Sequence, residues 1–163
     1  MDDRWSVKGN EIIWKVKNGK HRDNIEMAGK KLAAVVTYGV EEDGSLYLSK
    51  RLFYPTLRAI PNNTHASLRF EYEAGEFLEI GLKGEEIKEI PYEVRISGMV
   101  TVFSRDADKK LKIVRRIYPS TDKMALIEHT TVENISGELR TATSNNYNRT
   151  DYLRGTKGVY VLE

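Results

Sequence analysis

The 163-residue chain contains no cysteine. That excludes disulfides, thiolate nucleophiles and cysteine-ligated zinc. A cysteine-free chain suits the bacterial cytoplasm, the periplasm and the exterior alike. Apolar runs approaching the ~20 residues of a membrane helix are missing, so no membrane partner is expected. The opening Met1-Asp2-Asp3-Arg4 has no charged-then-apolar leader pattern. Charge of one sign is missing as well: 26 basic and 24 acidic residues are interspersed and give a net +2. This is not the one-sided basic footprint of a nucleic-acid binder. Long helical periodicity, internal repeats, low-complexity segments and linkers are absent too.

What is present is a series of short strand-like runs punctuated by turns. Val94, Ile96, Val100 and Val102 share one parity, and Arg95, Ser97 and Thr101 take the other. Such period-two alternation marks a half-buried strand, with Gly98 inside it as a bulge or close approach. Three hairpins are expected. Leu32 to Val40 and Leu46 to Tyr54 flank Glu41-Glu42-Asp43-Gly44-Ser45, whose Asp-Gly supplies positive φ. Met99 to Phe103 and Leu111 to Tyr118 flank the polar loop Ser104 to Lys110. Ala125 to Glu133 and Glu138 to Tyr147 flank Asn134-Ile135-Ser136-Gly137. Further strands are read at Trp5 to Val7, Glu11 to Val16, Ser67 to Tyr72, Phe77 to Gly81 and Tyr160 to Leu162. Pro55 and Pro61 cannot donate ladder hydrogen bonds, so Tyr54 to Thr64 reads as a long crossover loop. Helix is minor: Asn24 to Lys31 tolerates it, but Gly29 breaks it. The expected fold is an all-β antiparallel two-sheet sandwich, since an antiparallel sheet must bury one face and a second sheet is the natural cover.

The densest polar cluster is His21-Arg22-Asp23-Asn24-Ile25-Glu26-Met27. One imidazole and two carboxylates could bind a divalent cation or exchange protons. The spacing fits no standard metal motif, however, and on a strand His21 and Asp23 would share a face with Glu26 on the other. The bland alternative is a polar loop whose carboxylates cap nearby amides. Glu128-His129 lies in the apolar run Met124 to Val132, where one of the pair must point inward; a histidine satisfied beside the core is the simpler outcome. His65 follows Pro61-Asn62-Asn63-Thr64, a loop suited to sugar hydroxyls or to fixing its own turns. Lys109-Lys110-Leu111-Lys112 with Arg115-Arg116 is the strongest basic run and reads as a solvated hairpin with its charge split between two faces. Asn62, Asn134 and Asn148 begin Asn-x-Ser/Thr triplets, best taken as chance.

Trp5, Trp14, Phe53, Phe70 and Phe103 are expected to fill the core. Tyr54, Tyr118, Tyr147 and Tyr152 fall at strand ends or in loops and could line a ligand groove or an interface. The final Leu162-Glu163 matches what a tag junction leaves, and the chain stops inside a strand-like run. A single domain over 1–161, severed from a larger protein, is therefore expected.

Two stretches resemble a known family. The first is His21-Arg22-Asp23-Asn24-Ile25-Glu26-Met27-Ala28-Gly29, then Tyr38-Gly39-Val40, then Leu57-Arg58-Ala59-Ile60-Pro61-Asn62-Asn63-Thr64-His65. The second is Arg115-Arg116-Ile117-Tyr118-Pro119-Ser120, then Ala125-Leu126-Ile127-Glu128 and Thr131-Val132-Glu133-Asn134. Together they look like the N-terminal β-sandwich (supersandwich) domain of six-hairpin glycosidases, including bacterial α-L-rhamnosidase-like glycoside hydrolases. The resemblance runs from about Lys20 to Asn134 and includes no catalytic signature. It implies a carbohydrate context and an (α/α)6 catalytic barrel in cis, and the family's acid and base carboxylates lie mainly on that barrel. No catalytic residue, metal or cofactor is therefore assigned to this chain.

The expected function is a non-catalytic accessory domain of a larger carbohydrate-active enzyme. Its substrate or interface contacts would come from His21, Asp23, Glu26, Tyr54, Asn62, Asn63 and His65. An apolar patch left bare by the partner would drive homodimerisation of the isolated domain. A stand-alone carbohydrate-binding module and a mutarotase-like sugar isomerase are the alternatives; the isomerase would need His21 with Glu26, or His129 with Glu128.

Overall fold

The structure is a computed structural model. It describes residues 4–17, 19–58, 67–72, 80–82, 85–144, 151–155 and 158–162, the side chains of 55–58, 67–72, 85, 151–155 and 158–162 excepted. The strands are β1 (Trp5–Lys8), β2 (Glu11–Lys15), β3 (His21–Ala28), β4 (Ala33–Val40), β5 (Leu46–Arg58), β6 (Ser67–Tyr72), β7 (Ile80–Leu82), β8 (Glu85–Glu86), β9 (Glu89–Ile96), β10 (Val100–Asp106), β11 (Leu111–Pro119), β12 (Leu126–Asn134), β13 (Ala142–Ser144), β14 (Asp151–Gly155) and β15 (Gly158–Leu162). No helix occurs among the described residues. The fold is all-β and antiparallel, as expected. A six-stranded sheet runs β1-β2-β9-β10-β11-β12 and a four-stranded sheet runs β3-β4-β5-β6. The strands β13-β7-β8 and β14-β15 form two small sheets.

One core draws on both large sheets. Trp14, Val94, Val100, Val102 and Ile117 come from the six-stranded sheet; Met27, Val36, Tyr38, Val40 and Leu48 come from the four-stranded one. Alternation on each strand turns these residues to the shared interior. Trp14 anchors the layer, 6.2 Å from Tyr38 and 5.9 Å from Trp5 between ring centroids. Two glycines permit close backbone approach. A side chain on Gly39 would overlap the carbonyl oxygen of His21 on the paired strand, and one on Gly29 would overlap that of Ser120. Gly29 thereby seats the β3–β4 turn against the loop that follows β11.

The structure corrects several sequence expectations. Gly98 is not inside a strand: it takes φ +67° in the turn between β9 and β10, and Ile96 pairs with Val100. Folding back about this turn leaves all four valine and isoleucine side chains on one face, so period two could not distinguish it from a straight strand. The segment around Asn24 is strand β3, not loop or helix. β5 continues through Pro55 to Arg58 rather than ending at Tyr54, and pairing with β6 lapses between Tyr54 and Arg58, where the proline has no N–H to donate. The third hairpin is absent among the described residues: β13 pairs with β7, not with β12. Residues 77–79 of the expected Phe77 to Gly81 strand lie outside those described, and Ile80 and Gly81 belong to β7.

Candidate functional site

His21 and Asp23 share the inward face of β3, and His21 Nε2 lies 2.5 Å from Asp23 Oδ2. Arg4 Nη1 is 2.7 Å from His21 Nδ1, and the indole of Trp14 meets the imidazole edge-on at 5.1 Å. The same Arg4 nitrogen lies 2.6 Å from Nε2, so the imidazole stands between the Arg4 guanidinium and the Asp23 carboxylate. Glu26 sits on the opposite, exposed face, so the trio does not converge. The pair His21–Asp23 borders the core beside Tyr38. Burial, reinforced by the charge of Asp23, pushes the Tyr38 phenol well above the ordinary tyrosine range.

Tyr54 is expected at a ligand groove or an interface. It is buried instead, packed with Leu32, Ala34 and Leu52 in a second core cluster, because it shares parity with Leu52 on β5. Asn62, Asn63 and His65 lie outside the described residues, as do the side chains of Phe70, Tyr147 and Tyr152. No group of three or more His, Asp or Glu suited to a metal occurs among the described residues.

The Glu128-His129 pair resolves the other way round from the simple expectation. Glu128 points inward and His129 outward, exposed. Glu128 meets Arg115, whose guanidinium is nearly fully buried; the basic run is therefore not simply a solvated hairpin. Arg115 Nη2 is 2.7 Å and Nε 3.0 Å from Glu89 Oε2, and Ser104 Oγ donates to Glu89 Oε1 at 2.6 Å. Burial alone would lower the Arg115 pKa; the hydrogen bond and charge of Glu89, with those of Glu128, outweigh it and raise it. The sequence conceals Glu89 as an inward residue. A register shift between Phe103 and Ser104 lets Phe103 face Glu93 and Ser104 face Pro91, so Tyr92 is the extra residue of a bulge that reverses parity along β9.

The outward face of the six-stranded sheet carries a feature that sequence reading missed. Phe103 is not a core residue. It lies there in one cross-strand row with Lys15, Glu93 and Val114. Arg95, Thr101, Arg116 and His129 form the next row. The Arg95 guanidinium carbon stands 5.0 Å over the Phe103 ring, and Tyr92 is 6.3 Å away between centroids. Buried Glu93 is ion-paired with both Lys15 and Arg95. A groove of about 320 Å³ opens between Arg95, Phe103 and Arg116.

The last surface of interest is the far edge of the same sheet. Among the described residues β12 pairs with β11 alone. Val132 on this strand is 36% exposed, and the following loop displays Ile135 at 42% and Leu139 at 99%. In the β4–β5 turn, Asp43 Oδ1 accepts from the Ser45 N–H and hydroxyl and Lys88 reaches Asp43 Oδ2 at 3.0 Å. These contacts hold the Asp43 carboxyl well below the usual range and fix the β4–β5 turn.

No protein-family model, curated protein or solved structure matches this chain.

Proposed function

We propose that this chain is a non-catalytic β-sandwich accessory domain of a larger carbohydrate-active enzyme, packing through its β12 edge against an (α/α)6 catalytic barrel in cis. The observation that carries the reading is that edge: a nine-residue strand, open on one side among the described residues, beside three exposed aliphatic side chains. Unpaired strand edges and clustered apolar side chains are what domain contacts use, and soluble domains otherwise blunt them. The disposition of the inward carboxylates supports the same reading. Asp23 is held by His21, Glu89 and Glu128 by Arg115, and Asp106 by the Lys110 and Leu111 amides. A glycosidase needs two carboxyl groups facing one bond across open space, and these face internal partners.

The open reading frame around this chain tests the proposal. An (α/α)6 domain should be encoded in the same polypeptide, and the isolated chain should hydrolyse none of a panel of nitrophenyl glycosides, the α-L-rhamnoside included. A reading frame that encodes the sandwich alone, or turnover by the isolated chain, overturns it.

A further inference from the structure

We infer that the groove on the outward face of the six-stranded sheet is a binding site for a uronic-acid residue of an acidic glycan. The inference rests on the carbohydrate reading above and adds a ligand class and a place. Four observations carry it. First, the row Arg95–Thr101–Arg116 spans three hydrogen-bonded strands. Two interstrand spacings separate the arginines, about 10 Å between backbones, which leaves one sugar ring's width above Thr101. Second, Phe103 lies two residues along β10 on the same face, a ring for the C–H face of a pyranose. The groove's volume falls at the small end for ligand sites.

Third, the charges are unequally spent. Arg95 is already engaged by Glu93 and stands 3.7 Å from Glu11, besides its place over Phe103. Arg116 has neither an ion pair nor a hydrogen bond among the described residues. A planar guanidinium with its donors unused, at the wall of a groove, matches a carboxylate in two-point fashion. Fourth, the remaining polar groups suit hydroxyls: Ser97 and Thr101 donate or accept, and the Glu11 carboxylate accepts. A ligand with one carboxylate, several hydroxyls and one apolar face meets all of these at once.

The test is an NMR titration of the whole chain with trigalacturonate, with its methyl ester, and with glucuronate- and mannuronate-containing oligosaccharides. At least one free uronate should shift the amides of Arg95, Thr101, Phe103 and Arg116. Esterification should weaken it tenfold or more. Arg116→Gln should weaken the acid tenfold or more and leave the ester unchanged, Arg116→Lys should fall between, and Phe103→Ala should weaken both. Lys112→Gln, on the same face but outside the groove, should change neither. Thermal unfolding of each variant separates lost binding from lost fold. Equal binding of acid and ester, indifference to Arg116→Gln, or no groove shifts with any uronate overturns the inference. Those failures leave the accessory-domain reading standing, because it is judged by the reading frame.

Discussion

Arg115 and Glu128 meet inside the sandwich from neighbouring strands, with Nη1 2.7 Å from Oε1, while Glu89 holds the other side of the same guanidinium. Three charged side chains thus occupy positions that alternation reserves for apolar ones. Removing one member of a buried ionic group strands the others in a medium that solvates them poorly. Arg115→Met is expected to cost about 3–5 kcal/mol in urea unfolding. Arg115→Met combined with Glu89→Met should be less destabilised than the single variant, since fewer charges are left alone. A single-variant loss below about 1 kcal/mol would mean that water reaches the group and that its burial is not felt.

Gly39 faces a backbone obstacle rather than a side chain. Any Cβ there overlaps the His21 carbonyl oxygen and lies 2.8 Å from the Arg22 Cα on the paired strand. Neither atom can move without breaking the β3–β4 ladder. Gly39→Ala should therefore lower stability by about 1–3 kcal/mol, the usual range for forced overpacking. Gly44→Ala is a useful contrast, because its φ of +83° is strained while the space around it is open. A thermal midpoint for Gly39→Ala equal to that of the parent chain would refute the close approach.

Tyr38 ties stability to alkaline pH. An unperturbed tyrosine ionises near pH 10, roughly, and burial holds Tyr38 protonated well beyond that. Above about pH 10 the unfolded chain releases this proton while the folded chain keeps it. The unfolded state then binds fewer protons, so stability falls as pH rises, by at most about 1.4 kcal/mol per pH unit for this one group. Below that range both states hold the proton and Tyr38 contributes no slope. Tyr38→Phe should flatten the alkaline limb of a stability–pH curve measured by urea titration. An unchanged limb would show that the phenol is not shielded from ionising in the folded state.

The fold was legible in the sequence because its signals are local. Strand parity and Asp43-Gly44 in its turn all act within a few residues. The sites were hidden because their signals are not local. Ile96 and Val100 keep the same parity whether the chain runs straight or folds back at Gly98. A single bulged residue, Tyr92, brings Glu89 to Arg115, and nothing in the composition near Glu89 announces it. Phe103 reads as a core residue on hydrophobicity, yet shares parity with Thr101 and Arg105, and that parity places it outside. His21 and Asp23 were expected to share a face on a strand, and they do; Glu26 falls opposite for the same reason.

The β12 edge makes the most direct solution prediction. Val132 pairs with Ile113, so one strand inward from this edge the side chain is fully buried, while at the edge the valine is partly open. Leu139 and Ile135 extend the apolar surface beyond the strand. Two copies can hide it by antiparallel pairing of β12 with β12, which also satisfies the open backbone groups and closes under twofold symmetry. The isolated chain should therefore dimerise with rising concentration in sedimentation velocity. Val132→Lys places a charge at the edge, the device natural sheets use against such pairing, and Leu139→Glu does the same in the loop. Either should shift the chain to monomer, and the pair should do so fully. Leu139 is almost fully exposed, so Leu139→Glu should move monomer stability by no more than about 0.5 kcal/mol. A dimer indifferent to both substitutions would place self-association elsewhere, and a parent chain monomeric at every concentration would remove the edge as a docking surface for its own kind.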